Sequence, residues 1–232
     1  MQKERWTQKQ KSMSASRKHA IHPKRRWRVG RMGARLLLSL LFIGSFYLSC
    51  FPWGRASLRS FFMLPALIET SSFAPLKLFG APVRFSRTTL SSRNGPVFLD
   101  TYEPAAALPL VPGKRAALIN VVGVGDNRDA SQLVNLSRSF AQEGIVVVNV
   151  ATPTLFDFMI SPQDSEAVVQ AFQTLVSRDD VDPKRIGIIG FSAGATLACL
   201  AAADPRIRDQ LAFITLFGGY FDATTLLRIF GQ

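Results

Sequence analysis

The stretch Arg185–Ala203 (RIGIIGFSAGATLACLAAA) constrains the fold of this chain more than any other. Its apolar run Ile186-Gly187-Ile188-Ile189 predicts a buried strand, and the small residues from Ala193 onward predict a helix. Between them, Gly190-Phe191-Ser192-Ala193-Gly194 must pass from strand to helix with almost no loop. A serine with glycine two residues away on either side suits such a turn. The serine backbone is strained, and side chains at 190 and 194 would collide with it.

The flanking sequence supplies partners for that strand. Val83–Leu90 and Val97–Tyr102 are strand-like and enclose Arg93-Asn94-Gly95, a hairpin signal. Ala116–Val122 and Ile145–Val150 are continuous apolar runs, as expected of strands buried on both faces. Ala212–Phe217 is a further strand, apolar on both faces and hazardous as an edge. Helices are predicted over Ala130–Glu143 and from Ser161-Pro162-Gln163-Asp164, where the serine suits a cap and the proline a first turn. The second carries a core stripe of Val168, Val169, Phe172, Leu175 and Val176. Asp179–Pro183 reads as a turn. Two antiparallel strands followed by alternating strand and helix predict one α/β sheet of about six strands over residues 82–232.

The formal net charge of +12 is concentrated at the N-terminus. Residues 1–35 hold twelve Lys or Arg and one acid, whereas the rest of the chain holds sixteen bases and fifteen acids. Residues 1–34 therefore read as a basic, disordered tail, and no nucleic-acid-binding face is expected on the globular part. The uncharged Leu36–Phe51 follows directly. With its flanks, 35–53 reads as a transmembrane signal anchor in the lipid bilayer. The basic excess places the N-terminus in the cytoplasm and the main domain outside the cytoplasmic membrane. A start at Met32 would instead make it a cleaved or lipidated signal peptide, and a buried helix is the third reading. Residues 54–81 read as a membrane-proximal linker.

Cys50 and Cys199 form no disulfide framework and are expected to be small buried apolar groups. The two histidines, His19 and His22, lie in the basic tail, so no metal site is expected.

The chain resembles the α/β-hydrolase superfamily, and within it bacterial esterases and dienelactone-hydrolase-like members. The resemblance rests on Gly190–Gly194, on the loop Val121-Val122-Gly123-Val124-Gly125 about 70 residues earlier, on Asp100–Pro104, and on the order of strands and helices. It implies a three-layer α/β sandwich, Ser192 as nucleophile, and the backbone N–H groups of Ala193 and Val124 as oxyanion donors, with no metal or organic cofactor. The substrate would be a small ester-like molecule, cleaved through an acyl-serine intermediate.

The family's order of serine, acid and histidine does not close here, because no histidine follows Ser192. Asp222, after the last strand, would serve as the acid only in a variant arrangement, and a turn or capping aspartate is the plainer reading. The family's sheet normally has eight strands, against about six here. The expectation is an N-terminal part of a longer hydrolase, truncated and inactive as it stands. The alternative is a hydrolase-like domain kept for binding or scaffolding.

Overall fold

The computed structural model describes residues 24–67, 76, 80–105, 113–220, 222 and 228. Most of the basic tail, and residues 68–75 and 77–79 of the expected linker, lie outside the described residues. The chain divides into two compact units, Met1–Ser57 and Leu58–Gln232.

In the first unit, α1 (Lys24–Cys50) covers the uncharged run. Leu36, Leu37, Leu38, Leu40, Leu41, Phe42 and Ile43 are all exposed, so the stretch 36–43 of the helix is apolar around its circumference. The chain breaks helix at Phe51 and enters α2 (Pro52–Leu67), which runs on into the second unit. Gly54 permits that break: a methyl group there would lie 2.6 Å from the Tyr47 carbonyl oxygen and 2.7 Å from Leu48 Cα. The expected transmembrane segment 35–53 is thus helical but interrupted, and among the described residues no helix is long and apolar enough to cross a membrane.

The second unit is built on a sheet of β1 (Val83–Ser92), β2 (Gly95–Pro104), β3 (Arg115–Val121), β4 (Val146–Ala151), β5 (Val181–Phe191) and β6 (Phe213–Phe217), ordered β1-β2-β4-β3-β5-β6. β1 and β2 form the expected antiparallel hairpin, and β2 also runs antiparallel to β4. The other neighbours are parallel. Arg93 and Asn94 make the hairpin turn, and the positive φ of 113° falls on Gly95. Asn94 is not left-handed, so glycine alone carries the conformation that the Asn-Gly signal anticipates.

Alternation along the central strands divides two cores. Ala117, Ile119 and Val121 of β3, Val146, Val148 and Val150 of β4, and Ile186 and Ile188 of β5 pack on one face with α5 (Ser165–Val176) and α6 (Ala193–Ala202). Leu118, Val147 and Ile189 point the other way, with Ala141 and Phe140 of α3 (Ser131–Gln142). A short helix, α4 (Pro153–Phe156), follows β4. The result is three layers, helix on sheet on helix. A polar row crosses the α3 side: Arg87, Asp100, Asn149 and Asn120 occupy aligned positions on β1, β2, β4 and β3. The Arg87 guanidinium grips the fully buried Asp100 carboxylate with two bonds of 2.8 Å. A one-residue slip would bury the charge without its partner, so the row fixes strand register.

Three local expectations are corrected. Pro162–Asp164 is a 3-10 turn, and Ser161 makes no cap: its hydroxyl turns to Gln163 Oε1 at 2.5 Å. β5 begins at Val181, inside the expected turn, because Arg115 pairs with Val181 across an irregularity before regular pairing resumes at Ala117 and Ile186. Cys50 and Cys199 are free and exposed rather than buried.

Candidate active site

β5 delivers Ile188-Ile189-Gly190-Phe191 to the C-terminal edge of the sheet, and Ser192 turns the chain into α6 with φ 53° and ψ −124°. Only Ser192 and Phe158 combine a side chain with a positive φ among the described residues. Ser192 is exposed while Gly190, Ala193 and Gly194 are buried, so the turn presents its hydroxyl and hides its own backbone.

Each glycine answers to a specific neighbour. A methyl group on Gly190 would lie 2.5 Å from Ala195 Cα and 2.8 Å from the Gly194 carbonyl oxygen. One on Gly194 would run into the carbonyl oxygens of Val121 and Val122 at the end of β3. The serine turn and the end of β3 are therefore in direct backbone contact. The Ser192 N–H donates to the Phe217 carbonyl of β6 at 2.8 Å, so the turn is held from both sides. Ala193 is the first residue of α6, where N–H groups have no intrahelical acceptor and the dipole favours negative charge.

The loop after β3 comes to the same place. Gly123 faces the serine: a methyl group there would lie 3.1 Å from Ser192 Cβ and 3.4 Å from Ser192 Oγ. Val124 follows, with its side chain packed on the core of the α5–α6 face. Ser192, Ala193 and Val124, the residues expected from the sequence, thus belong to segments that meet at one edge.

Asn127 braces this loop and was not singled out in the sequence. Its Nδ2 donates to the carbonyl of Val124 at 2.8 Å and lies 3.3 Å from that of Gly125 and 3.5 Å from that of Gly123. An asparagine two residues after a Val-Gly pair is an Asx-type signal that could have been read. Beside it, Arg128 makes a fork onto Asp126 at 3.0 and 2.9 Å and lies over the rings of Phe156 and Phe98, 4.6 and 5.0 Å from their centroids. The guanidinium bonds hold the Asp126 carboxyl below its ordinary range.

Asp222 is exposed, and its chain neighbours 221 and 223–227 lie outside the described residues. His19 and His22 lie outside them as well, so the described residues contain no histidine. Nor do they contain a cluster of His, Cys, Asp or Glu able to hold a metal ion.

No protein-family model and no curated protein matches the chain. Solved structures do. A puromycin-hydrolyzing peptidase of Mycobacterium tuberculosis is 24% identical, with a TM-score of 0.49 over 62% of this chain and 24% of its own. A putative carboxylesterase from Lactobacillus plantarum is 17% identical, with a TM-score of 0.48 over 62% of each chain. A hyperthermophilic esterase from the archaeon Pyrobaculum calidifontis is 24% identical, with a TM-score of 0.44 over 70% of this chain and 50% of its own. This chain spans less than two thirds of the length of each. The proteins so matched are a peptidase, a putative carboxylesterase and an esterase.

Proposed function

We propose that residues 82–232 form a serine hydrolase domain of the esterase type, with Ser192 as nucleophile and the N–H groups of Ala193 and Val124 as oxyanion donors. The observation that carries this reading is Ser192 itself: an exposed hydroxyl on a left-handed backbone, between a buried strand and a helix N-terminus, facing Gly123. Strain of this kind costs about 1–3 kcal/mol and concentrates at functional positions. In the reaction, Ser192 Oγ bonds to the carbonyl carbon of an ester as its proton passes to a base. The C–O bond to the alcohol then breaks, the alcohol leaves with a proton, and water hydrolyses the acyl-serine.

No histidine follows Ser192 in residues 193–232, so the proposal has the hydroxyl positioned but not activated. Loss of the histidine lowers turnover by roughly 10⁶ in a well-studied serine protease, and ester turnover by this chain is expected to fall below detection. A fluorophosphonate probe at high concentration tests the nucleophile directly. Slow labelling of the wild type, abolished by Ser192→Ala, is the expected result, and labelling that survives Ser192→Ala sinks the nucleophile assignment. A second reading is a hydrolase-like domain that binds ligands without turning them over. That reading gains if ligand binding persists without labelling. Attachment to a lipid bilayer through residues 35–53, with the main domain on the extracytoplasmic side, belongs to the same proposal. It is supported by the exposed apolar circumference of stretch 36–43 in α1 and the basic residues that precede it.

A further inference from the structure

The segment after β4 carries an unexplained feature beside this site. Phe158 holds φ at 57°, a conformation that an aromatic residue rarely adopts. Phe158, Met159 and Ile160 are three consecutive large apolar residues, 74%, 55% and 43% exposed. The backbone holds them there. The N–H of Phe158 donates to the Leu155 carbonyl at 3.1 Å, and that of Met159 to the Thr154 carbonyl at 2.9 Å.

The same turn is tied to the loop after β3. The Gly125 N–H donates to the Leu155 carbonyl at 2.7 Å, and a methyl group on Gly125 would lie 3.3 Å from Phe158 Cζ. The ring tip therefore closes over one end of the segment Gly123–Gly125, and Ser192 closes against the other. The nearest charges on that loop, Asp126 and Arg128, neutralise each other. An apolar surface of three consecutive side chains, following the exposed Asp157, held in a strained conformation and joined through Phe158 to a candidate oxyanion loop, suits the hydrocarbon part of a substrate whose carbonyl sits at Ser192.

We propose that Phe158, Met159 and Ile160 form an apolar subsite that selects esters with a hydrocarbon chain of four or more carbons. This rests on the reading of Ser192 as nucleophile, and the test keeps the two apart. Unreactive methyl ketones, butan-2-one and octan-2-one, are titrated by ligand-observed NMR into the full chain at one fixed detergent concentration, so that partition into detergent cancels between variants. Each buried methylene multiplies affinity by roughly four, and partial burial of four of them predicts octan-2-one binding at least about tenfold tighter in the wild type. In Phe158→Gly and Phe158→Asn the gap should shrink severalfold. Both residues accept a positive φ, so thermal midpoints at or above the wild-type value show that the fold is kept. Ser192→Ala should keep the full gap. A wild type without a gap, or folded variants that retain it, overturns the subsite. A gap in a wild type whose fluorophosphonate labelling survives Ser192→Ala removes the nucleophile and leaves the subsite standing.

Discussion

Ser192 and its two glycines form one mechanical unit, and their contributions to stability have opposite signs. Ser192 holds a positive φ, so Ser192→Gly should stabilise the domain by about 1–2 kcal/mol. Gly194→Ala places a methyl group against the carbonyl oxygens of Val121 and Val122, which are backbone and cannot swing aside, and should cost about 1–3 kcal/mol or more. Urea unfolding of the two variants checks both signs, and a destabilised Ser192→Gly would mean that the turn stores no strain. At this scale the serine turn was legible in the sequence because its constraint is short-range, lying within Gly190–Gly194. The left-handed Phe158 was not legible. Phenylalanine carries no preference for that region, and the contacts that hold it come from Leu155 and Gly125. Asn127 lies between these cases, since its bonds are local but their purpose depends on where Ser192 arrives.

Between elements, charge pairs clasp what hydrophobic packing leaves free to slide. Arg206, in the turn after α6, binds Glu166 at the start of α5 at 2.5 and 3.0 Å and Asp204 at 2.7 and 2.9 Å. The Arg206 side chain holds the Glu166 carboxyl below its ordinary value of 4.5 and brings that of Asp204 from 3.8 to about 2. Both folded values are depressed, so the contribution is present above the unfolded values and is lost as pH falls through the folded ones. Arg206→Gln should therefore lower the thermal midpoint at pH 7, with a difference that shrinks between about pH 4.5 and 2 and weakens in 1 M salt. A difference independent of pH would assign the effect to packing. Element existence was legible from periodicity, as in Val168, Val169, Phe172, Leu175 and Val176, of which the first four are fully buried. Boundaries were less so. Asp182-Pro183 has the composition of a turn, yet it lies within β5 because the pairing of Val181 with distant Arg115 extends the strand. The position of β4 between β2 and β3 has no local signature either, since it depends on which apolar runs meet across the sheet.

For the molecule as a whole, the two units have opposite surface characters. The stretch 36–43 exposes apolar side chains around its helix, whereas the domain of Leu58–Gln232 buries most of its own. Flotation of the full chain with phosphatidylcholine–phosphatidylglycerol vesicles should carry it upward, and deletion of 36–51 should leave it at the bottom of the gradient. A full chain that stays at the bottom would remove membrane attachment from the proposal. The α/β class of the domain follows from its sequence because the central strands are mainly apolar runs that alternate with amphipathic helices. The completeness of the site does not, since a triad is a meeting of residues far apart in the chain. One tie described above has a further consequence. The amide of Ser192 hangs from the carbonyl of Phe217, in a strand that ends the sheet among the described residues and leaves Phe213, Ile214, Leu216 and Phe217 exposed. Sheet margins open before sheet centres do. The reactive turn is therefore anchored to a margin of the described sheet, and whatever covers or steadies β6 also sets how long Ser192 keeps its aim.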